Sequence, residues 1–125
     1  MNREIKFRAF WRDTLKPILD FNDGYIIDAC NDEVFIVNQF TGLFDKNGKE
    51  IFEGDILKTS NNIVSVFFGK HISYVTMLGK KDTIETNGWL VKNAKVHIDV
   101  LDESFCNGEV IGNIYENLEF LNGYV

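Results

Sequence analysis

Hydrophobic and polar positions alternate in short runs along most of the chain, and turn-forming residues separate the runs. Ile5, Phe7 and Ala9 alternate with Lys6 and Arg8 before the pattern becomes fully apolar at Phe10 and Trp11. That period of two predicts a half-buried strand with Phe7 inward and Lys6 and Arg8 outward. Pro17 removes an amide donor and holds Lys16 extended, so the segment around it reads as a strand edge or connection. Asn22, Asp23 and Gly24 mark a turn. Tyr25 to Ala29 and Val34 to Phe40 are β-rich runs, read as a hairpin or meander. Asn47 and Gly48 lie between apolar runs and predict a type I′ turn, which needs positive φ at both central residues. Glu53, Gly54 and Asp55 predict a bulge or tight corner before Ile56 and Leu57.

In the second half, Ile63 to Phe68 and Ile72 to Leu78 read as a strand pair around Gly69, Lys70 and His71. Lys80 to Asn87 is polar and predicts a surface loop, followed after Gly88 by a short strand at Trp89 to Val91. Val96, Ile98 and Val100 alternate with His97 and Asp99. Val110 to Tyr115 predicts a last strand, and Asn117, Leu118, Phe120 and Leu121 predict one helical turn packed on the sheet. Several short strands without an internal repeat make the chain mainly β, a barrel, roll or sandwich.

Composition narrows this further. A chain of 125 residues, 45% hydrophobic and 26% charged, suits a single domain over 1–125 with one core. Eleven phenylalanines predict an aromatic core. The net charge of -6 argues against general attraction to nucleic acid, whose binding is driven by cations displacing counterions. The two ends differ in sign. Arg3, Lys6, Arg8, Arg12 and Lys16 outnumber Glu4, Asp13 and Asp20, whereas Lys95 stands against Asp99, Asp102, Glu103, Glu109, Glu116 and Glu119. Cys30 and Cys106 lack the spacing of a disulfide framework, and no secretory leader pattern opens the chain, so a cytoplasmic location in the host cell is expected. No run approaches the roughly 20 apolar residues of a spanning helix, and no membrane role is expected.

Candidate chemistry is sparse. His71, His97, Cys30 and Cys106 could supply four zinc ligands, but structural zinc sites draw on closely spaced pairs and these are scattered. Asp99, Asp102 and Glu103 are acidic near a strand end, yet they lack calcium-loop spacing and read as a solvated turn. Neither a phosphate-binding glycine loop nor a nucleophile elbow is present. No catalytic residue, metal or cofactor is expected, and the chain reads as a non-enzyme.

The most specific stretch is Gln39 to Leu57, QFTGLFDKNGKEIFEGDIL. It resembles the central signature of the YopX-like proteins of phages and prophages, in which a TGL-D-NGKEI-EGD pattern recurs. The opening IKFRAFW and the closing VIGNIYEN resemble the two end motifs of that family. Where the family usually reads RAW, this chain has Arg8, Ala9, Phe10 and Trp11, one aromatic more. The resemblance implies a small SH3-type barrel or roll, here with a short C-terminal helical turn, and it carries no catalytic residue over. Gly42, Gly48 and Gly54 suit backbone turns, and Asp45, Asn47 and Asp55 can bond nearby amides.

Two functional expectations follow. The first is a protein-binding module acting on a host or mobile-element factor, with Glu53 and Asp55 on the binding surface and an acidic balance suited to a basic partner. The alternative is a nucleic-acid-binding module in which Lys6 and Arg8 meet phosphates and Trp11 stacks on a base. Unpaired strand edges and abundant phenylalanine also fit a homo-oligomer.

Overall fold

A computed structural model describes residues 5–19, 33–95 and 97–122. The expected turn at 22–24, the run from Tyr25 to Ala29, Cys30 and Val96 lie outside the described residues. The strands are β1 (Phe7–Trp11), β2 (Phe35–Phe44), β3 (Glu50–Phe52), β4 (Asp55–Lys58), β5 (Ile63–Met77), β6 (Lys80–Lys92), β7 (Ile98–Val100) and β8 (Glu109–Asn113). Two single-turn helices, α1 (Glu103–Cys106) and α2 (Glu119–Asn122), flank β8. The second is the C-terminal helical turn read from the sequence.

The strands form two antiparallel sheets, β1-β2-β3 and β7-β6-β5-β4-β8. The mainly β expectation holds, and no closed barrel is found among the described residues. In the first sheet Phe40 pairs with Phe52 and Phe44 with Glu50, so β2 carries extra residues as a bulge. Gly42, at φ 85, absorbs the irregularity, and the buried Thr41 hydroxyl donates to the Ile51 carbonyl at 2.7 Å.

The expected corner at Glu53, Gly54 and Asp55 is where the chain leaves the first sheet and enters the second. Gly54 has φ 87, and a Cβ there would lie 3.0 Å from the Tyr115 ring, so both conformation and space demand glycine. The turn before β3 differs from expectation. Gly48 has positive φ, whereas Asn47 is not among the residues that do. The Asp45 carboxylate takes over the work of the second left-handed residue: its Oδ1 accepts from the amides of Asn47 at 2.8 Å and Lys49 at 2.9 Å. Its Oδ2 accepts from Val110 N at 2.9 Å and ties the turn to β8. Burial pushes this carboxyl up, but the amides of Val110, Lys49 and Asn47, with the Lys49 charge, outweigh it and hold its pKa below the ordinary value.

The core also departs from expectation. Its buried cluster is aliphatic, made of Ile51, Leu57, Val64, Val66, Val91, Leu101 and Val110, with Trp89 and Phe105 packed at its margin. Phenylalanines are divided between the first sheet, where Phe10, Phe40 and Phe52 are buried, and the surface, where Phe44 and Phe68 are at least half exposed. The largest departure lies in β5 and β6. The segment read as two strands around Gly69 is one strand of 15 residues, and the polar run read as a loop is the start of a strand of 13 residues paired to it throughout.

Candidate functional site

The three motif regions of the sequence meet at one buried junction between the sheets. In β1 and β2, Arg8 and Asn38 are register partners, so both side chains emerge on the same side. That side faces the corner, and Arg8 therefore points inward, contrary to the outward placement expected from alternation. Its Nη1 lies 2.7 Å from Asp55 Oδ1, its Nε donates to Asn38 Oδ1 at 3.2 Å, and its Nη2 donates to the Glu53 carbonyl at 3.0 Å. The guanidinium carbon sits 5.0 Å from the Phe10 ring centre and 4.9 Å from that of Phe52. A planar, delocalised cation suits this slot, because it can stack on rings while its edge donates in several directions.

The other members complete the circuit. Asp55 Oδ2 accepts from Phe52 N at 2.8 Å, and Asn38 Nδ2 donates to the Tyr115 hydroxyl oxygen at 2.8 Å. The Tyr115 ring packs on Phe10 at 4.9 Å. Asp55 is 1% exposed, and burial pushes its carboxyl pKa up against the pull of Arg8 and the Phe52 amide. Glu53, half-buried beside it, is raised for the same reason, with the Gln39 amide, Arg8 and Asn38 opposing. A buried ion pair whose remaining donors and acceptors are met locks two sheets together; removing one partner of such a pair typically costs about 3–5 kcal/mol.

This geometry bears on each residue singled out from sequence. Asp55 is closed to a partner by its burial, so a place on a binding surface does not fit it, and Glu53 spends its carbonyl on Arg8. Arg8 itself is engaged on three sides. Lys6 pairs with Glu50 at 2.9 Å, and Trp11 is 40% exposed while its ring stacks on Phe35 at 5.1 Å. Sequence reasoning missed Asn38 and Tyr115, whose roles depend on cross-strand register and on the end of β8 returning to the corner.

The remaining candidates resolve as follows. Asp102 caps α1, accepting from the Ser104 amide at 3.0 Å and hydroxyl at 2.6 Å. Burial, with the charges of Asp102 and Glu103, pushes the Cys106 thiol up. Among the described residues no three His, Cys, Asp or Glu side chains come together in a metal-binding group. A groove of about 460 Å³ is lined by Lys46, Lys58, Thr59, Ser60, Ser104 and Asn107, among others, and brings no histidine to its hydroxyls. No helix among the described residues is long and apolar enough to cross a membrane.

A second region was not singled out from sequence at all. Val64, Val66 and Val91 lie in the core, and the same face of β5 and β6 continues outward as Phe68, Ile72 and Tyr74. Past the facing pair Gly69 and Gly88, no residue of either strand is buried. The result is a two-stranded ribbon whose apolar side chains are uncovered: Tyr74 is 85% and Leu78 100% exposed, and Ile72, Met77 and Ile84 are each about half exposed or more. Phe68 packs edge-on against Trp89 at 5.2 Å, and Lys70 pairs with Glu85 at 2.9 Å on that face.

The ribbon closes through Leu78 and Gly79, with φ of 53 and 77. Positive φ at both central residues between the paired Met77 and Lys80 is the type I′ pattern expected instead at Asn47 and Gly48. Leucine hides that signal, since a branched apolar residue seldom adopts positive φ.

Residues 15–122 match the model of the family described as YopX protein, the family that the three sequence motifs resemble. A solved structure described as that of protein EF1440 from Enterococcus faecalis is similar at 22% identity, covering 96% of this chain and 99% of that chain with a TM-score of 0.49. No curated protein matches the chain.

Proposed function

The chain belongs to the YopX protein family, and from that premise we propose a non-enzymatic accessory protein of phage or prophage type that acts in the host cytosol by binding another protein. The observation that carries this reading is the uncovered apolar ribbon, ending in a fully exposed leucine held at positive φ. Neither feature favours the folded chain in isolation. A two-stranded hairpin is marginal in water, exposed apolar strips favour association, and strained backbone collects at recognition sites. The junction around Arg8 supports the reading from the other side, because it spends Arg8 and Asp55 on holding the sheets.

A photo-crosslinking residue at position 74, introduced in cells, tests this directly. Irradiation is expected to give a protein adduct from position 74 and none from position 116, on the exposed turn after β8. Absence of a protein adduct from position 74 overturns the reading.

A further inference from the structure

We infer that the protein seated on the ribbon is a second copy of this chain, joined face to face about a two-fold axis; this rests on the protein-binding reading above. Three observations select that occupant. The first is charge. The chain carries -6 overall, yet Lys70, Lys80 and Lys81 outnumber Asp82 and Glu85 along the ribbon, so the acidity is concentrated in the body. Two such bodies repel. A ribbon running eight residues past Gly69 spans about 26 Å at roughly 3.3 Å per residue, well beyond the ~8 Å screening length of physiological salt. Ribbon-to-ribbon contact therefore lets two acidic chains associate while their bodies stay apart.

The second is self-complementarity. The face that bears Phe68, Ile72 and Tyr74 also bears Lys70 and Glu85, already 2.9 Å apart. A two-fold axis through such a face sets each lysine near the other copy's glutamate and ring against ring. A foreign partner would need to supply that pattern independently.

The third is area. Phe68, Ile72 and Tyr74 expose on the order of 450 Å² per copy, given 150–250 Å² for each aromatic. A symmetric pair then removes up to about 900 Å², the size of a weak, reversible interface. It also converts two marginal hairpins into a two-layer, four-stranded sandwich, which has an inside.

Light scattering of the purified full chain over a concentration series tests the inference. The expected mass is twice 14.4 kDa at high concentration, falling towards 14.4 kDa on dilution. Tyr74→Asp, which puts a charge in place of the most exposed ring of the face, is expected to weaken association at least about 30-fold, the size of an interface hot spot. Tyr74→Phe is expected to retain it, and both variants should keep the wild-type circular dichroism, since position 74 contacts no core. A wild-type mass of 14.4 kDa at every concentration overturns the second copy, as does a dimer that Tyr74→Asp leaves intact. A monomer in solution that still gives a foreign protein adduct from position 74 in cells would overturn this inference alone and leave the protein-binding reading standing.

Discussion

The junction around Arg8 and the ribbon beyond Gly69 are built from the same materials, aromatic rings and an ion pair on antiparallel strands, and use them in opposite ways. At the junction Phe10, Phe52 and Tyr115 pack around the Arg8–Asp55 pair, with the Asp55 carboxylate closed to water and Arg8 mostly covered. On the ribbon Phe68, Tyr74 and the Lys70–Glu85 pair stand in solvent. Enclosure changes the energetics of each contact. A charge pair in water is worth about 0–1 kcal/mol, whereas breaking a buried one exposes the full desolvation cost of the orphaned charge. The junction thus holds the fold together, and the ribbon contributes little to it. Difference in cover, more than difference in composition, separates the two.

The largest expected effect comes from removing the cover's reason for existing. Arg8→Ala leaves the Asp55 carboxyl at 1% exposure without its cation and takes the stack out from between two rings. It is expected to destabilise the fold by about 3–5 kcal/mol in urea unfolding. A loss under about 1 kcal/mol would mean the junction behaves like an exposed pair, and the comparison would collapse. The next effect, smaller, lies in the Asp45 turn. With a folded pKa held below 3.8, the carboxylate stabilises the fold fully above that value and loses its contribution as pH falls through the folded pKa. Asp45→Asn is expected to cost about 1–3 kcal/mol at pH 7. The gap from wild type should narrow below pH 3.8; a gap independent of pH would assign the turn's stability to shape alone. Glu53 and Asp55 slope the other way, since raised folded values make their ionisation costly as pH climbs.

The same contrast explains what was legible in the sequence. Alternation found β1 and β7, β-rich composition found the start of β2, and glycine found the corner at Gly54, where one conformational demand leaves a pattern. Arg8 was read outward since alternation reports which side a residue takes and not what lies there; its partner is 47 residues away and only the fold brings them together. The ribbon was read as broken strand and loop because both its faces meet water. With no buried side to enforce a period of two, Lys80 to Asn87 could be polar and remain strand through pairing to β5. Glu53 and Asp55 attracted a binding role by their charge, where the structure uses the Asp55 carboxylate and the Glu53 backbone carbonyl to hold Arg8.

The smallest effect is also the one that separates fold from function within the ribbon. Leu78 at φ 53 carries a left-handed conformation that costs an L residue with a bulky side chain roughly 1 kcal/mol, whereas asparagine adopts it readily. Leu78→Asn keeps the turn and removes an apolar side chain that touches water on every side. If the ribbon existed only to be folded, the substitution would be a gain without a loss. The expected outcome is therefore double: amide exchange across residues 70–87 slows by an amount matching stabilisation of up to about 1 kcal/mol, while crosslinking from position 74 to its partner weakens. Slower exchange with undiminished crosslinking would show that the tip is a strained turn and nothing more, leaving Phe68, Ile72 and Tyr74 as the whole of the contact surface.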